Sequence, residues 1–279
     1  MHRRAAPRHV AGILGLVGAL LVALPSAAAP KAELWERWTA HDPAATRTVD
    51  HGLWDAFLRT HVRAHPSGVN RVAYGEVDAR SRASLDRYLR DLAAIPVSAL
   101  ARPEQKAFWI NLYNALTVRV VLDHFPVASI RDIDISPGLF SSGPWGAKLI
   151  EIEGEQLGLD DIEHRILRPI WRDARVHYAV NCASIGCPNL RGHAYAAADL
   201  DAALDAAARD FVNHPRGARV ERGRLRVSSI YVWFVEDFGG DDAGVIAHLR
   251  RHAEPALADA LVGVAHVDGD DYDWSLNAP

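Results

Sequence analysis

Both cysteines of the chain, Cys182 and Cys187, fall in one stretch, His177-Tyr178-Ala179-Val180-Asn181-Cys182-Ala183-Ser184-Ile185-Gly186-Cys187-Pro188. Two thiols five positions apart admit three chemistries. An oxidising compartment makes them a disulfide candidate, and a loop that short would constrain the unfolded chain by about 2 kcal/mol. A reduced Cys182 with a nearby base becomes a thiolate nucleophile. A tetrahedral metal site needs two further soft ligands, which a chain with two cysteines does not supply as thiols.

A nucleophile needs a base and a group that orients the base. Read as a strand, residues 175–181 put His177, Ala179 and Asn181 on one face and Tyr178, Val180 and Cys182 on the other, separating His177 from the thiol. His164, on the preceding helix and joined by the short Pro169–Arg175 connection, is the better base. Glu163 points about 100° away from it around that helix, which leaves Asn114 to orient His164. The expected catalytic set is Cys182, His164 and Asn114, with Glu163, His177, Asn181 and Asn111 as ligand-binding residues. No cofactor and no metal is called for. His61 and His65 have the i, i+4 spacing of two ligands on one helix, but no third ligand accompanies them, and a solvated helix face is expected.

The elements that must position these residues are mostly helical. Leu34, Trp35 and Trp38 make a short amphipathic turn; Leu53, Trp54, Phe57, Leu58 and Val62 repeat at helical spacing, as do Leu85, Tyr88, Leu89 and Leu92. The helix expected over Glu104–His124 has Pro103 at its first turn and is apolar nearly all round, so it is central and buried. Its Gln105, Asn111 and Asn114 must then be hydrogen-bonded, either fixing a neighbouring loop or lining a site. Ser136–Gly146 is a Gly/Pro/Ser loop long enough for a lid. Hairpins are expected around Gly154 and around Arg222-Gly223. Asp160 with Glu163 has capping-box spacing for the helix carrying His164. A helix over Asp199–Asn213, a capped helix over Asp241–His252 and a short strand at Val264–Val267 complete the chain. The acidic run Asp268, Asp270, Asp271, Asp273 lacks the Gly and final Glu of a calcium loop, so a turn with Tyr272 and Trp274 packed inward is expected.

Composition sets the frame. The chain of 279 residues is 49% hydrophobic and 24% charged, as in a globular protein. Its net charge of −4, without a basic stripe, argues against a nucleic-acid partner. Arg3, Arg4 and Arg8 precede an apolar run from Val10 to Leu24 and the small-residue site Ser26-Ala27-Ala28. That is the pattern of a secretory signal peptide cleaved after Ala28. The apolar run falls short of the roughly 20 residues that span a membrane. An exported protein, periplasmic or secreted and without stable membrane insertion after cleavage, is expected. There is no P-loop, GxGxxG, HExxH or GxSxG.

Five separated motifs carry a family resemblance: Phe108-Trp-Ile-Asn-Leu-Tyr-Asn-Ala-Leu-Thr117, Asp161-Ile-Glu-His-Arg-Ile-Leu-Arg-Pro169, His177 to Pro188, Trp233 to Phe238, and Asp271-Tyr-Asp-Trp-Ser-Leu-Asn277. Together they resemble the domain of unknown function 547 family over about residues 100–277. The resemblance implies that these positions matter and, distantly, a papain- or transglutaminase-type fold. Asn111 or Asn114 would then stand where the first helix of such folds carries a catalytic Cys, a departure that argues against cysteine-protease chemistry.

The expected architecture is α+β: one helix-rich domain with short antiparallel strands and hairpins. It comprises a signal peptide (1–28), an N-terminal helical segment packing on the core (29–99) and the family domain (100–279). Two functions remain open. One is a cleft around the Cys182/Cys187 loop that binds a small polar or peptidic ligand, with Cys182-dependent acyl transfer or hydrolysis. The other is a non-catalytic binding or scaffold module stapled by a Cys182–Cys187 disulfide.

Overall fold

The computed structural model describes residues 30–138 and 143–279. The expected signal peptide and its cleavage site lie outside the described residues, as does the middle of the Ser136–Gly146 loop. The ends of that loop are tied together by the Ser136 hydroxyl, which donates to Gly143 O (2.7 Å) and accepts from Gly146 N (3.0 Å).

In chain order the elements are α1 (Gly52–His61), β1 (Val62–Arg63), β2 (Arg71–Val72), α2 (Ala79–Ala93) and α3 (Arg102–His124). The β3–β4 hairpin (Ile150–Ile152, Glu155–Leu157) follows, then a π-helical stretch (Asp161–Leu167) running into α4 (Arg168–Trp171). A 3-10 helix (Ala174–Tyr178) leads through the cysteine loop to α5 (Leu200–Val212). The remainder is β5 (Ala218–Glu221), β6 (Arg224–Ser228), α6 (Ser229–Trp233), α7 (Asp242–His252), α8 (Pro255–Ala260) and β7 (Gly269–Asp271). Many helices with a few short strand pairs make an α+β fold. Among the described residues no helix is long and apolar enough to cross a membrane.

Helix α3 is the axis. Every residue from Glu104 to Val118 is buried, as a helix apolar on all sides requires. Trp54 stacks between Phe57 and Tyr88 from α1 and α2, and Trp38 meets Trp109 edge-on at 5.0 Å. A second apolar cluster, with Tyr178, Phe211, Tyr231 and Leu249 at its centre, fills the space between α5, α6, α7 and the β5–β6–β7 sheet.

Four local expectations are corrected. Residues 175–181 are not a strand: Asp173 accepts the backbone N–H of Arg175 (3.0 Å) and grips its guanidinium, so this side chain winds the segment into a 3-10 turn. Asp160 caps nothing, for it is already helical; Asp161 takes the neighbouring backbone N–H of Gly158 (2.8 Å) instead. The helix is π-wound ahead of Pro169, which has no N–H to give. The carbonyls of His164 and Arg165 accept from Glu33 N (2.9 Å) and Trp35 N (3.0 Å) instead. His61 ends α1, buried against Phe57, and His65 lies beyond the helix in an exposed turn, so the two do not share a solvated face. The last strand is 269–271 rather than 264–267, and it runs parallel to β6.

Candidate functional site

The cysteine loop is held by amides. Asn114 on α3 donates to Ala179 O (2.9 Å) and accepts from Asn181 N (2.8 Å), clamping the backbone that leads into the loop. Asn181 in turn accepts from Ala183 N (2.9 Å) and donates to Pro188 O (2.7 Å), spanning the loop from inside. The two bonds pin Ala183 in the left-handed region, at φ 60°. A non-glycine residue adopts that conformation only when its surroundings impose it. Asn111 makes a matching clamp further out, on both backbone groups of Tyr195 (2.8 and 3.0 Å). Gln105 donates to Ala40 O and Val97 O.

The C-terminal segment straps across the loop. Ile185 N donates to Ser275 O, Gly186 N to Asp273 O and Asn277 N to Ala183 O, all within 2.8–2.9 Å. Gly186 permits this approach, because a Cβ there would lie 2.8 Å from Asp273 N and 2.9 Å from the Tyr272 ring. The strap delivers Tyr272 to the thiol.

Around Cys182 Sγ stand Tyr272 Oη at 3.0 Å, Ser184 Oγ at 3.2 Å and Cys187 Sγ at 3.1 Å. Both cysteines are free; Cys187 is buried and Cys182 partly exposed. The Cys187 hydrogen bond draws the Cys182 thiol below its usual value against the effect of burial, helped by Ser184 and Tyr272 and opposed by the charge of Glu163. Burial pushes the Cys187 thiol and the Tyr272 phenol well up, so both remain protonated donors. Cys182 N–H also points at Cys187 Sγ (3.0 Å), but it and the Tyr272 hydroxyl do not offset burial and the neighbouring Cys182 thiol, so of the two sulfurs Cys182 is the one more readily ionised.

The other sequence-selected residues gather in an adjoining buried cluster. His177 Nε2 meets Asp237 Oδ2 at 2.7 Å and its Nδ1 faces Glu163 Oε1 at 3.6 Å, while Phe234 stacks on the ring at 4.5 Å. Arg168 donates from Nε to Asp237 (2.6 Å) and from Nη1 to His164 Nδ1 (3.0 Å). Burial works against the charge on Glu163, yet the imidazoles of His164 and His177 and the Arg168 guanidinium hold its carboxyl down at about 2. Burial lowers His164 to about 4. Asp160, 3.7 Å from His164 Nε2, is pushed up to about 6 by burial and by its acidic neighbours Glu163 and Asp161. Burial pushes the Tyr113 phenol on α3 well up, and the charges of Glu163 and of both thiols add to the effect.

The hydrogen bonds of the Cys182 thiol go to Cys187, Ser184 and Tyr272. Those of His164 and Asn114 go elsewhere, to Arg168 and to the backbone of residues 179 and 181. Sequence reasoning left Ser184, Tyr272, Tyr113 and Asp237 unassigned. All four did carry a signal, since each lies in one of the five motifs on which the resemblance rests. Among the described residues no group of three or more His, Cys, Asp or Glu is arranged to hold a metal ion.

Tyr272 has a second role. Its ring lines an open groove of about 680 Å³ with Trp274, Ser129, Asp132 and Asp273. Trp233 packs on both aromatic rings, at 4.8 Å from Tyr272 and 5.6 Å from Trp274, and Trp145 meets Trp274 at 5.8 Å. Tyr272 therefore both lines the groove and touches the thiol.

Residues 97–212 match the family described as "Protein of unknown function, DUF547", in agreement with the resemblance carried by the motifs. That span includes α3, the π-helical stretch, the cysteine loop and α5. No curated protein and no solved structure matched the chain significantly.

Proposed function

We propose that the chain is an exported protein that binds a small polar or peptidic ligand in the groove beside Tyr272, and that Cys182 acts on it as the nucleophile of an acyl transfer or hydrolysis. The observation that carries this reading is the convergence of the Cys187 thiol and the mutually hydrogen-bonded hydroxyls of Ser184 and Tyr272 on Cys182 Sγ at 3.0–3.2 Å. A partly exposed sulfur so surrounded ionises more readily than a free thiol. Sγ attacks the acyl carbon and forms the C–S bond; the leaving group departs with a proton from Tyr272 Oη. Water or an acceptor then attacks the thioester, returns the proton to Tyr272 and releases Sγ. Asn114 and Asn181 serve by holding the loop, and His164 by anchoring Arg168 in the adjoining buried cluster. Export is supported by the Arg3–Arg8 charges, the apolar run to Leu24 and the Ser26-Ala27-Ala28 site.

The test uses p-nitrophenyl acetate as a generic acyl donor on the reduced protein. A nitrophenol burst with one acetyl group on Cys182, abolished by Cys182→Ser, is expected. No adduct on a Cys182 that iodoacetamide alkylates freely would overturn the reading.

A second reading is favoured by the 3.1 Å between the sulfurs. In it the chain is a non-catalytic binding or scaffold module stapled by a Cys182–Cys187 disulfide. It requires a native mass two hydrogens below that of the reduced chain, and a Cys182→Ser/Cys187→Ser variant that is less stable but keeps its ligand.

A further inference from the structure

We infer that Cys182 and Cys187 form a redox-responsive dithiol with divided labour: Cys182 reacts with low-molecular-weight disulfides, and Cys187 resolves the product into an intramolecular disulfide that closes the site. The inference rests on the reading of Cys182 as a reactive thiolate, and it adds the class of molecule that regulates it.

The geometry distinguishes the two sulfurs. Cys182 is the partly exposed one and Cys187 is 5% exposed, so an incoming disulfide reaches Cys182 first. Cys182 alone has two hydroxyls on its sulfur, Ser184 and Tyr272, and they favour the attacking thiolate. Cys187 already sits 3.1 Å from Cys182 Sγ, and closure to a bonded pair needs an approach of about 1 Å. The loop between them is preset for it: Asn181 ties Ala183 to Pro188, and the strap fixes Ile185 and Gly186 from outside.

The steps balance. The Cys182 thiolate attacks one sulfur of a dialkyl disulfide; a Cys182–S bond forms, the external S–S bond breaks and one thiolate leaves. That thiolate takes the Cys187 proton. Cys187 Sγ then attacks Cys182 Sγ, the intramolecular S–S bond forms and the second external thiolate leaves. Two protein thiols are oxidised and one external disulfide is reduced to two thiols. Reopening runs the same steps backwards. An external thiol attacks the more exposed Cys182 Sγ and releases Cys187. A second external thiol then attacks the outer sulfur of the mixed disulfide with the hydrogen-bonded Cys182 thiolate as leaving group, so the bond is a switch rather than a permanent staple. While it is closed, Cys182 Sγ is no longer a thiolate, and acyl transfer stops.

The experiment incubates reduced full-length protein with oxidised glutathione and reads intact masses, with p-nitrophenyl acetate acetylation as a parallel readout. Wild type is expected to lose two hydrogens and carry no glutathione, reversibly with dithiothreitol, and to lose acetylation as it closes. Cys187→Ser is expected to accumulate a glutathione adduct on Cys182, and Cys182→Ser to react far more slowly at Cys187. Circular dichroism checks that both variants are folded. A stable glutathione adduct on wild type, or adducts forming equally fast at either cysteine, overturns the inference. Acetylation of Cys182 without intramolecular closure removes the switch and leaves the acyl-transfer reading standing; closure without acetylation removes the acyl-transfer reading and leaves the dithiol.

Discussion

Tyr272 Oη stands 3.0 Å from Cys182 Sγ although ninety positions separate the two residues. The contact exists because the C-terminal strap is zipped to the cysteine loop by backbone hydrogen bonds at residues 183, 185 and 186.

Tyr272→Phe removes one of the two hydroxyls at Cys182 Sγ while keeping the ring in the groove. A hydrogen bond to a charged partner is worth roughly 1.5–3 kcal/mol, about one to two pH units in the thiol. The variant is expected to shift the pH midpoint of Cys182 alkylation upward by about one unit. Ser184→Ala should shift it in the same direction. An unchanged midpoint in both variants would remove the hydroxyls from the account of thiol reactivity.

Gly186→Ala tests the strap itself. The new methyl would meet Asp273 N at 2.8 Å and the Tyr272 ring at 2.9 Å, so the strap must lift. Because Tyr272 and Trp274 ride on it against Trp233, tryptophan fluorescence should shift towards that of solvated indole. Alkylation of Cys182 should move in the same sense as in Tyr272→Phe. Wild-type fluorescence in the variant would mean that the strap accommodates the methyl and that the close approach is incidental.

Asn114→Leu keeps the volume of the side chain but abandons two buried backbone groups, Ala179 O and Asn181 N. Each orphaned group costs about 1–3 kcal/mol. A drop of several degrees in Tm is expected, together with faster hydrogen exchange at residues 179–183. A variant as stable as wild type would show that water replaces the amide without loss.

What the sequence made legible follows from the range of the forces involved. Helix α3 could be read because Pro103 and a surface apolar nearly all round act within a few turns, and the hairpins because Gly154 and Arg222-Gly223 act within a few residues. The kind of role played by Asn111 and Asn114 was also readable, since a buried amide must find partners. The partners themselves, Tyr195 and residues 179–181, lie too far along the chain to be inferred. The strand expected at 175–181 shows a local competition that apolar periodicity cannot see. Asp173 uses its side chain to bend the backbone, and the face assignment built on that strand for His177 and Cys182 fell with it. His177 instead met Asp237, sixty positions on.

Acid should destabilise the fold from the upper side of the histidine range. Burial lowers His51 and His164 to about 4 and His248 to about 3. For each, the unfolded chain takes up a proton near the ordinary value of 6.5 while the folded chain does not. Their contribution is therefore complete above the ordinary histidine value and is lost as the pH falls towards the folded one. His177 has the opposite sign: burial pulls it down, but its hydrogen bonds to the carboxylates of Asp237 and Glu163, and their charges, outweigh this and raise it. Its contribution is present below the ordinary value and fades as the pH rises past its folded value. Burial lowers His61 and His252 as well, whereas Asp160, raised to about 6 by burial, opposes them because the folded chain protonates it first as the pH falls. Five lowered histidines against His177 and Asp160 give a Tm that falls on acidification from about pH 6.5 to about pH 4. A Tm that rises on acidification through that window would contradict the burial-driven shifts.

Asp237→Asn addresses the buried cluster directly. Burial pushes the Asp237 carboxyl up, but hydrogen bonds from His177 and Arg168 bring it to about 2, so the group is a carboxylate at all working pH values. Neutralising it leaves Arg168, itself 5% exposed, facing an amide at Nε, with His164 Nδ1 and Pro30 O as its remaining partners. Removing one partner of a buried ion pair costs about 3–5 kcal/mol. The substitution should therefore lower Tm markedly, and it should lower the His177 pKa, read from imidazole resonances, because one of the two carboxylates facing the ring has gone. A His177→Gln/Asp237→Asn double variant should lose less than the sum of the two single losses, since the residues share one network. Additive losses would show that the 2.7 Å contact between His177 and Asp237 is not what binds the cluster together, and would return that role to Arg168 alone.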